Sequence, residues 1–188
     1  MSVDVYRPVE EAEALGPTTE CGILAMYRPQ APMSVDQLLI PALHSGGKEL
    51  QHRGEQSTGL AIHKTTGIID VRGIGTIDHV LTPQQLEFHH GEAYGGGVHL
   101  RWTTNGATSE ENVHPIPVDI GNYRIAHLMV NGNTPGAEIL RQLIPYELSD
   151  SVSDTVLMAN ELCPGCVTEH HVVDKHGNLQ HYIPLIQA

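Results

Sequence analysis

Aromatic residues are scarce: Phe and Trp occur once each, beside six Tyr, in 188 residues. A core made from this composition must rest on Leu, Ile, Val, Ala and Met. Basic residues are scarce too, with 10 Lys and Arg against 22 Asp and Glu, giving a formal charge of −12. No Lys/Arg cluster interrupts that acidity, which argues against nucleic acid or an anionic membrane as partner and favours a small-molecule substrate. No apolar run approaches the roughly 20 residues of a membrane span. The opening MSVDVYRPVEEAEALG lacks the basic and apolar regions of a secretory signal, so a cytoplasmic location is expected. Cysteine is limited to Cys21, Cys163 and Cys166, too few and too odd in number for a disulfide framework. In a reducing compartment these stay thiols, and a reactive cysteine is permitted.

The length suits one domain with a sizeable core. Residues 1–20 carry Pro8, Glu10, Glu11, Glu13, Gly16 and Pro17 with few large apolar groups and read as a flexible, removable leader; residues 21–188 form the domain. From Cys21, the short apolar run Gly22 to Tyr27 predicts a buried strand bounded by Arg28-Pro29. Apolar spacing from Ser34 to Leu50 predicts a helix that Pro41 kinks or interrupts. Thr58 to His63 and Gly67 to Val71 predict a hairpin, and two further strands fall at Val98 to Thr103 and Tyr123 to Val130. Helices are expected from Pro135 to Leu143, with Thr134 as N-cap, and from Thr155 to Leu162, with the Ser153 side chain as cap. A last hairpin joins Cys166 to Val173 with Leu179 to Ile186. Strands and helices alternate without a βαβ rhythm, which favours an α+β fold of antiparallel sheets with helices on their faces.

Single residues read blandly. Cys21 alone is a small buried hydrophobe, Arg101 an ordinary ion pair, Asn131-Gly132 a tight turn, and Asp154 a neighbour of a helix cap. Cys163-Pro164-Gly165-Cys166 with His170 and His171 is half of a zinc site without its second half, and reads as a helix-ending turn. The thirteen histidines are scattered and show no HExxH-type spacing. No metal or other cofactor is expected.

Taken together, the local motifs point elsewhere. Thr19-Glu20-Cys21-Gly22-Ile23-Leu24 resembles the processing site and new amino terminus of the amidophosphoribosyltransferase-type class II glutamine amidotransferases. Leu50-Gln51-His52-Arg53-Gly54-Glu55-Gln56-Ser57-Thr58-Gly59 is similar to the family's LQHRGQESAG, with Glu55 and Gln56 in swapped order, and His99 to Gly106 is similar to HVRYSTTG. Arg101-Trp102 with Ser109 to Pro115 resembles the RWATHG…SxxNAHP stretch of the glucosamine-6-phosphate synthases, a sister group. Asn131-Gly132-Asn133 followed by Ala137 to Arg141 resembles HNGN…AEELR, and Ser153-Asp154-Thr155 resembles SDTE. Five motifs in the right order are far more specific than one.

The resemblance implies a four-layer αββα sandwich of the N-terminal-nucleophile hydrolase type, trimmed at its C-terminus. It implies a glutaminase that releases ammonia from L-glutamine through a Cys21 thioester, for an acceptor such as phosphoribosyl diphosphate on a separate subunit. Asn131 and Gly132 would hold the oxyanion. Arg101 would pair with the substrate carboxylate and Asp154 with its amino group, while Trp102 and Thr104 line the pocket. His52, Arg53 and Gly54 would shape the wall of the site. An acceptor subunit or a second copy of the chain are the protein partners left open. The alternative is a catalytically silent domain of the same fold used for binding or regulation. A Cys21 that is not the first residue would favour it.

Overall fold

A computed structural model of the chain describes residues 20–87, 89–104, 106–119, 125–132, 137–143, 152–161, 171–173 and 179–181. The leader up to Thr19, the Thr134-Pro135 helix start, the Cys163 to Cys166 turn and the turn of the last hairpin lie outside these residues.

The larger sheet is built from β1 (Gly22–Tyr27), β3 (Ser57–Lys64), β4 (Gly67–Ile74) and β5 (Glu92–Arg101), in the order β1-β5-β3-β4. A two-residue strand, β2 (Met33–Ser34), also pairs with β5. Every pairing is antiparallel. Period-2 alternation divides the side chains of this sheet between two faces. Leu60 and Ile62 of β3, Ile69 of β4, and Val98 and Leu100 of β5 share a core with Leu39, Leu43 and Ile77; Leu24, Met26 and Leu50 pack against its edge. Burying each such side chain contributes about 1.5–3 kcal/mol. That cluster is what holds the sheet against α1 (Ile40–Leu50).

The helix expected from Ser34 starts as a π-helical turn over Val35–Leu39, with the Ser34 hydroxyl accepting the Gln37 N–H, and continues as α1. Pro41 does not interrupt it. Proline falls within the first turn of α1, where ring and missing N–H are tolerated. Two four-residue helices, α2 (Ile77–Val80) and α3 (Pro83–Leu86), carry the chain back towards β5; α3 is closed by a capping box between Thr82 and Gln85.

The other face of the sheet meets a second antiparallel pair, β6 (Ile116–Asp119) and β7 (Ile125–Leu128). Three contacts mark that interface: His63 with His127, Arg72 with the Val113 carbonyl, and His99 with the Val130 carbonyl. Behind β6 and β7 lies α5 (Asp154–Glu161), where Ile116, Val118 and Ala159 form a smaller core with Leu128 and Val156. The layers therefore run α1, large sheet, β6-β7, α5. This is the expected α+β arrangement of helix, sheet, sheet and helix. A further helix, α4 (Ala137–Leu143), lies beside α5, and β8 (His171–Val173) pairs antiparallel with β9 (Leu179–His181). Among the described residues, no helix is long and apolar enough to cross a membrane.

Candidate active site

Cys21 enters β1 at the point where the sheet's register pairs Gly22 with Leu100. Continued by one residue, that register brings Cys21 beside Arg101, whose charge acts on its thiol. The thiol is buried at 8% exposure, and its sulfur accepts the Trp102 backbone N–H at 3.4 Å and sits 3.5 Å from the Trp102 carbonyl oxygen. Burial pushes the thiol up from its ordinary range, while the Trp102 backbone bond and then the Arg101 charge pull it back. As part of an unbroken chain, this sulfur is thus held largely as thiol.

The junction with the preceding residue is gripped from the other side. The Arg53 Nε donates to the Cys21 carbonyl at 3.3 Å, and its Nη2 meets the Glu20 carboxylate at 3.3 Å. Arg53 reads from sequence only as part of the wall, yet the fold brings it to both sides of the Glu20–Cys21 bond. Its neighbour Gly54 must be glycine, since a Cβ there would overlap the Leu100 carbonyl of β5.

Arg101 ends β5 and is buried at 4% exposure. Its Nη1 donates to the Thr103 hydroxyl and to the Ala107 carbonyl, both at 3.1 Å, which fixes the guanidinium. Burial lowers its pKa, and the charges of Cys21 and Asp154 act in the opposite direction. Asp154, at the first position of α5, is also buried at 4% exposure and accepts the Thr155 N–H at 2.9 Å. Arg101 and Asp154 lie 53 positions apart in sequence, yet their opposite charges meet in one buried region beside Cys21.

Asn112 joins the two halves of that region. Its Nδ2 donates to the Ala107 carbonyl at 2.9 Å and to the Ser109 hydroxyl at 3.2 Å, while its Oδ1 accepts the Ser153 N–H at 2.6 Å. The loop that orients Arg101 is thereby tied to the residue before Asp154. The expected Ser153 side-chain cap is not formed: its hydroxyl is buried without a hydrogen-bond partner among the described residues, and Asp154 itself takes the Thr155 N–H. The Ser109 to Pro115 motif carried this linkage, but nothing in its spacing revealed which side chain made it.

Trp102 is half-buried and Thr104 exposed, one and three residues beyond Arg101. Asn131 and Gly132 are exposed and follow β7. Gly132 has φ +129°, a conformation that favours glycine. The Nε2 of His99, two residues before Arg101, lies 3.0 Å from the Val130 carbonyl, so the Asn-Gly pair departs from a point fastened to β5. Among the described residues, no hydrogen bond joins Asn131 or Gly132 to Cys21. His99 and His114 form a buried pair with nitrogens 2.9 Å apart; burial lowers both, to about 4 and about 2. Cys21, Trp102, Arg101 and Asp154 are thus brought together, with Asn131 and Gly132 tethered through His99.

No family model matches the chain. An amidophosphoribosyltransferase from Methanothermobacter thermautotrophicus is 31% identical over 138 residues, which are 72% of this chain and 27% of that protein. Another, from Staphylococcus aureus, is 29% identical over 143 residues, covering 74% of this chain and 27% of its own. A solved structure, the glutamine phosphoribosylpyrophosphate amidotransferase of B. subtilis complexed with ADP and GMP, superposes with a TM-score of 0.54 at 25% identity. It covers 75% of this chain and 28% of that one.

Fold and sequence relationship together define a class II glutamine amidotransferase domain of the N-terminal-nucleophile type. Within that class the chain belongs with the amidophosphoribosyltransferases, and it spans 27% of the length of the curated relatives it matches.

Proposed function

We propose that this domain hydrolyses the side-chain amide of L-glutamine once Cys21 becomes the first residue of the chain. The observation that carries the reading is the placement of a buried thiol on the Trp102 backbone beside Arg101 and Asp154. The sulfur attacks the amide carbon, and the freed Cys21 α-amine takes the thiol proton and delivers it to the departing ammonia. That amine titrates at about 7.7–8.0, which suits proton shuttling near neutrality better than lysine at about 10.4. A γ-glutamyl thioester remains, and water releases it as glutamate. Burial that disfavours the thiolate makes this local base necessary.

Arg101 presents a planar fork for the substrate α-carboxylate, and Asp154 a carboxylate for the α-ammonium. Opposite charges for the two ends of the substrate select a free amino acid over a peptide. Asn131, through its side chain, and Gly132, through its backbone N–H, supply the oxyanion donors; losing one such donor typically costs about 3 kcal/mol of transition-state stabilisation. Trp102 and Thr104 line the pocket. The phosphoribosyl compound in the name of the B. subtilis relative suggests where the ammonia goes: an acceptor of that kind, held by a partner subunit or by sequence outside this domain. The test is glutamate release from glutamine by chain starting at Cys21, compared with chain starting at Met1. Activity in the first and none in the second is expected, and silence in both would leave the binding or regulatory reading.

A further inference from the structure

On the side of the large sheet that faces β6-β7, three side chains from three strands meet. The Nδ1 of His127 on β7 lies 3.1 Å from the Nε2 of His63 on β3, and the Nε2 of His127 lies 3.4 Å from the Asp70 Oδ2 on β4. Arg72 Nε holds the other Asp70 oxygen at 2.9 Å. None of these groups takes part in the proposed glutaminase chemistry. His63 and His127 border a cleft of about 280 Å³ that is also lined by Met26, Met129, Tyr27 and the Gly95 to Gly97 backbone.

Proton bookkeeping defines what the pair can do. An ionised Asp70 only accepts, so the His127 Nε2 must carry the proton that it donates there, which leaves the Nδ1 lone pair facing His63. Without a metal, the His63 Nε2–H donates to the His127 Nδ1. With its proton moved to Nδ1, His63 would instead present a second lone pair towards the His127 Nδ1. The ring centroids are only 5.0 Å apart, closer than two rings aimed nitrogen to nitrogen across 3.1 Å would be, so the two nitrogen directions are tilted off the line between them. Two nitrogens of one metal's shell, each about 2.0–2.1 Å from it, have a similar separation.

We propose that His63 Nε2 and His127 Nδ1 chelate a divalent transition metal of the zinc, cobalt or nickel class, with Asp70 orienting His127 through its far nitrogen. A carboxylate behind a ligating imidazole is the arrangement that fixes ring and tautomer in protein metal sites. Two imidazoles with no carboxylate ligand favour these metals over calcium or magnesium. Among the described residues no group of three or more His, Cys, Asp or Glu side chains is arranged to hold a metal. Water or a small ligand in the cleft therefore completes the shell. His127, at 4% side-chain exposure, anchors the site, and His63 forms its solvent side.

The test uses the full chain, titrated with Co²⁺ by visible absorption and with Zn²⁺ by the shift in Tm. One equivalent should bind to the wild type. His63→Gln and His127→Gln should lose it, and Asp70→Asn should weaken it about 10- to 100-fold. A His89→Gln/His90→Gln double variant, which removes a surface pair elsewhere, should bind as the wild type does. Should His127→Gln fail to fold, His63→Gln alone decides, because that ring is only partly buried. No equivalent bound by the wild type, or equal binding by His63→Gln, overturns the proposal.

Discussion

The Trp102 backbone N–H donates to the Cys21 sulfur across 3.4 Å, joining the start of β1 to the residue that follows Arg101. Cys21 and Arg101 thus meet where the start of β1 lies beside the end of β5, so a shift of either reaches the other through the Trp102 backbone.

Cys21→Ala should abolish glutaminase activity while leaving the denaturation midpoint close to that of the parent, since the residue is small and its hydrogen bonds are weak. A glutamine-analogue electrophile such as diazo-oxo-norleucine should label Cys21 and spare Cys163 and Cys166, which have no adjacent α-amine. Peptide mapping checks this, and equal labelling of all three thiols contradicts it.

Arg101→Lys should raise KM for glutamine about tenfold or more and lower kcat less, because a point charge replaces a bidentate fork remote from the reacting amide. Steady-state kinetics separates the two parameters. A fall in kcat at unchanged KM would place Arg101 in the chemical step instead.

Asn112→Ala should destabilise the domain by about 1–3 kcal/mol, since it strands the buried Ser153 N–H and leaves the Ala107 carbonyl to Arg101 alone. Urea denaturation should show a lower midpoint at unchanged slope. Glutamine affinity should fall as well, because Asn112 ties the Arg101 loop to the start of α5.

Acid should destabilise the fold through His99 and His114. Both are held neutral when folded, at about 4 and about 2 against an unfolded value of 6.5, so the unfolded chain binds more protons in between. Stability is unaffected above pH 6.5 and declines as pH falls from there towards 4, by up to about 1.4 kcal/mol per pH unit for each histidine. Denaturation at pH 7, 6 and 5 measures this slope, and His114→Gln should flatten it.

Much of this arrangement was legible in the sequence, for identifiable reasons. The β3-β4 hairpin announced itself as two apolar runs around a short polar turn, and ordered motifs named Cys21, Arg101 and Asp154 although they are far apart in the chain. Pro41 misled because proline ends a helix from within but is accepted in its first turn. The helices α2 and α3 are four residues each, too short for a helical period to register. The Ser153 cap failed because Asn112, 41 residues away, takes the Ser153 backbone while Asp154 caps in its place. The His63–His127 pair is separated by 64 residues and forms only when two sheets meet, so no local spacing could show it.

The most direct test is glutamate production by purified protein whose amino-terminal mass is known. Chain beginning at Cys21 should hydrolyse glutamine, and the same chain with Met1 to Glu20 still attached should not, because acylation of the Cys21 nitrogen removes the base beside its thiol. Turnover by the unprocessed chain, or an inactive chain that demonstrably begins at Cys21, would contradict the account.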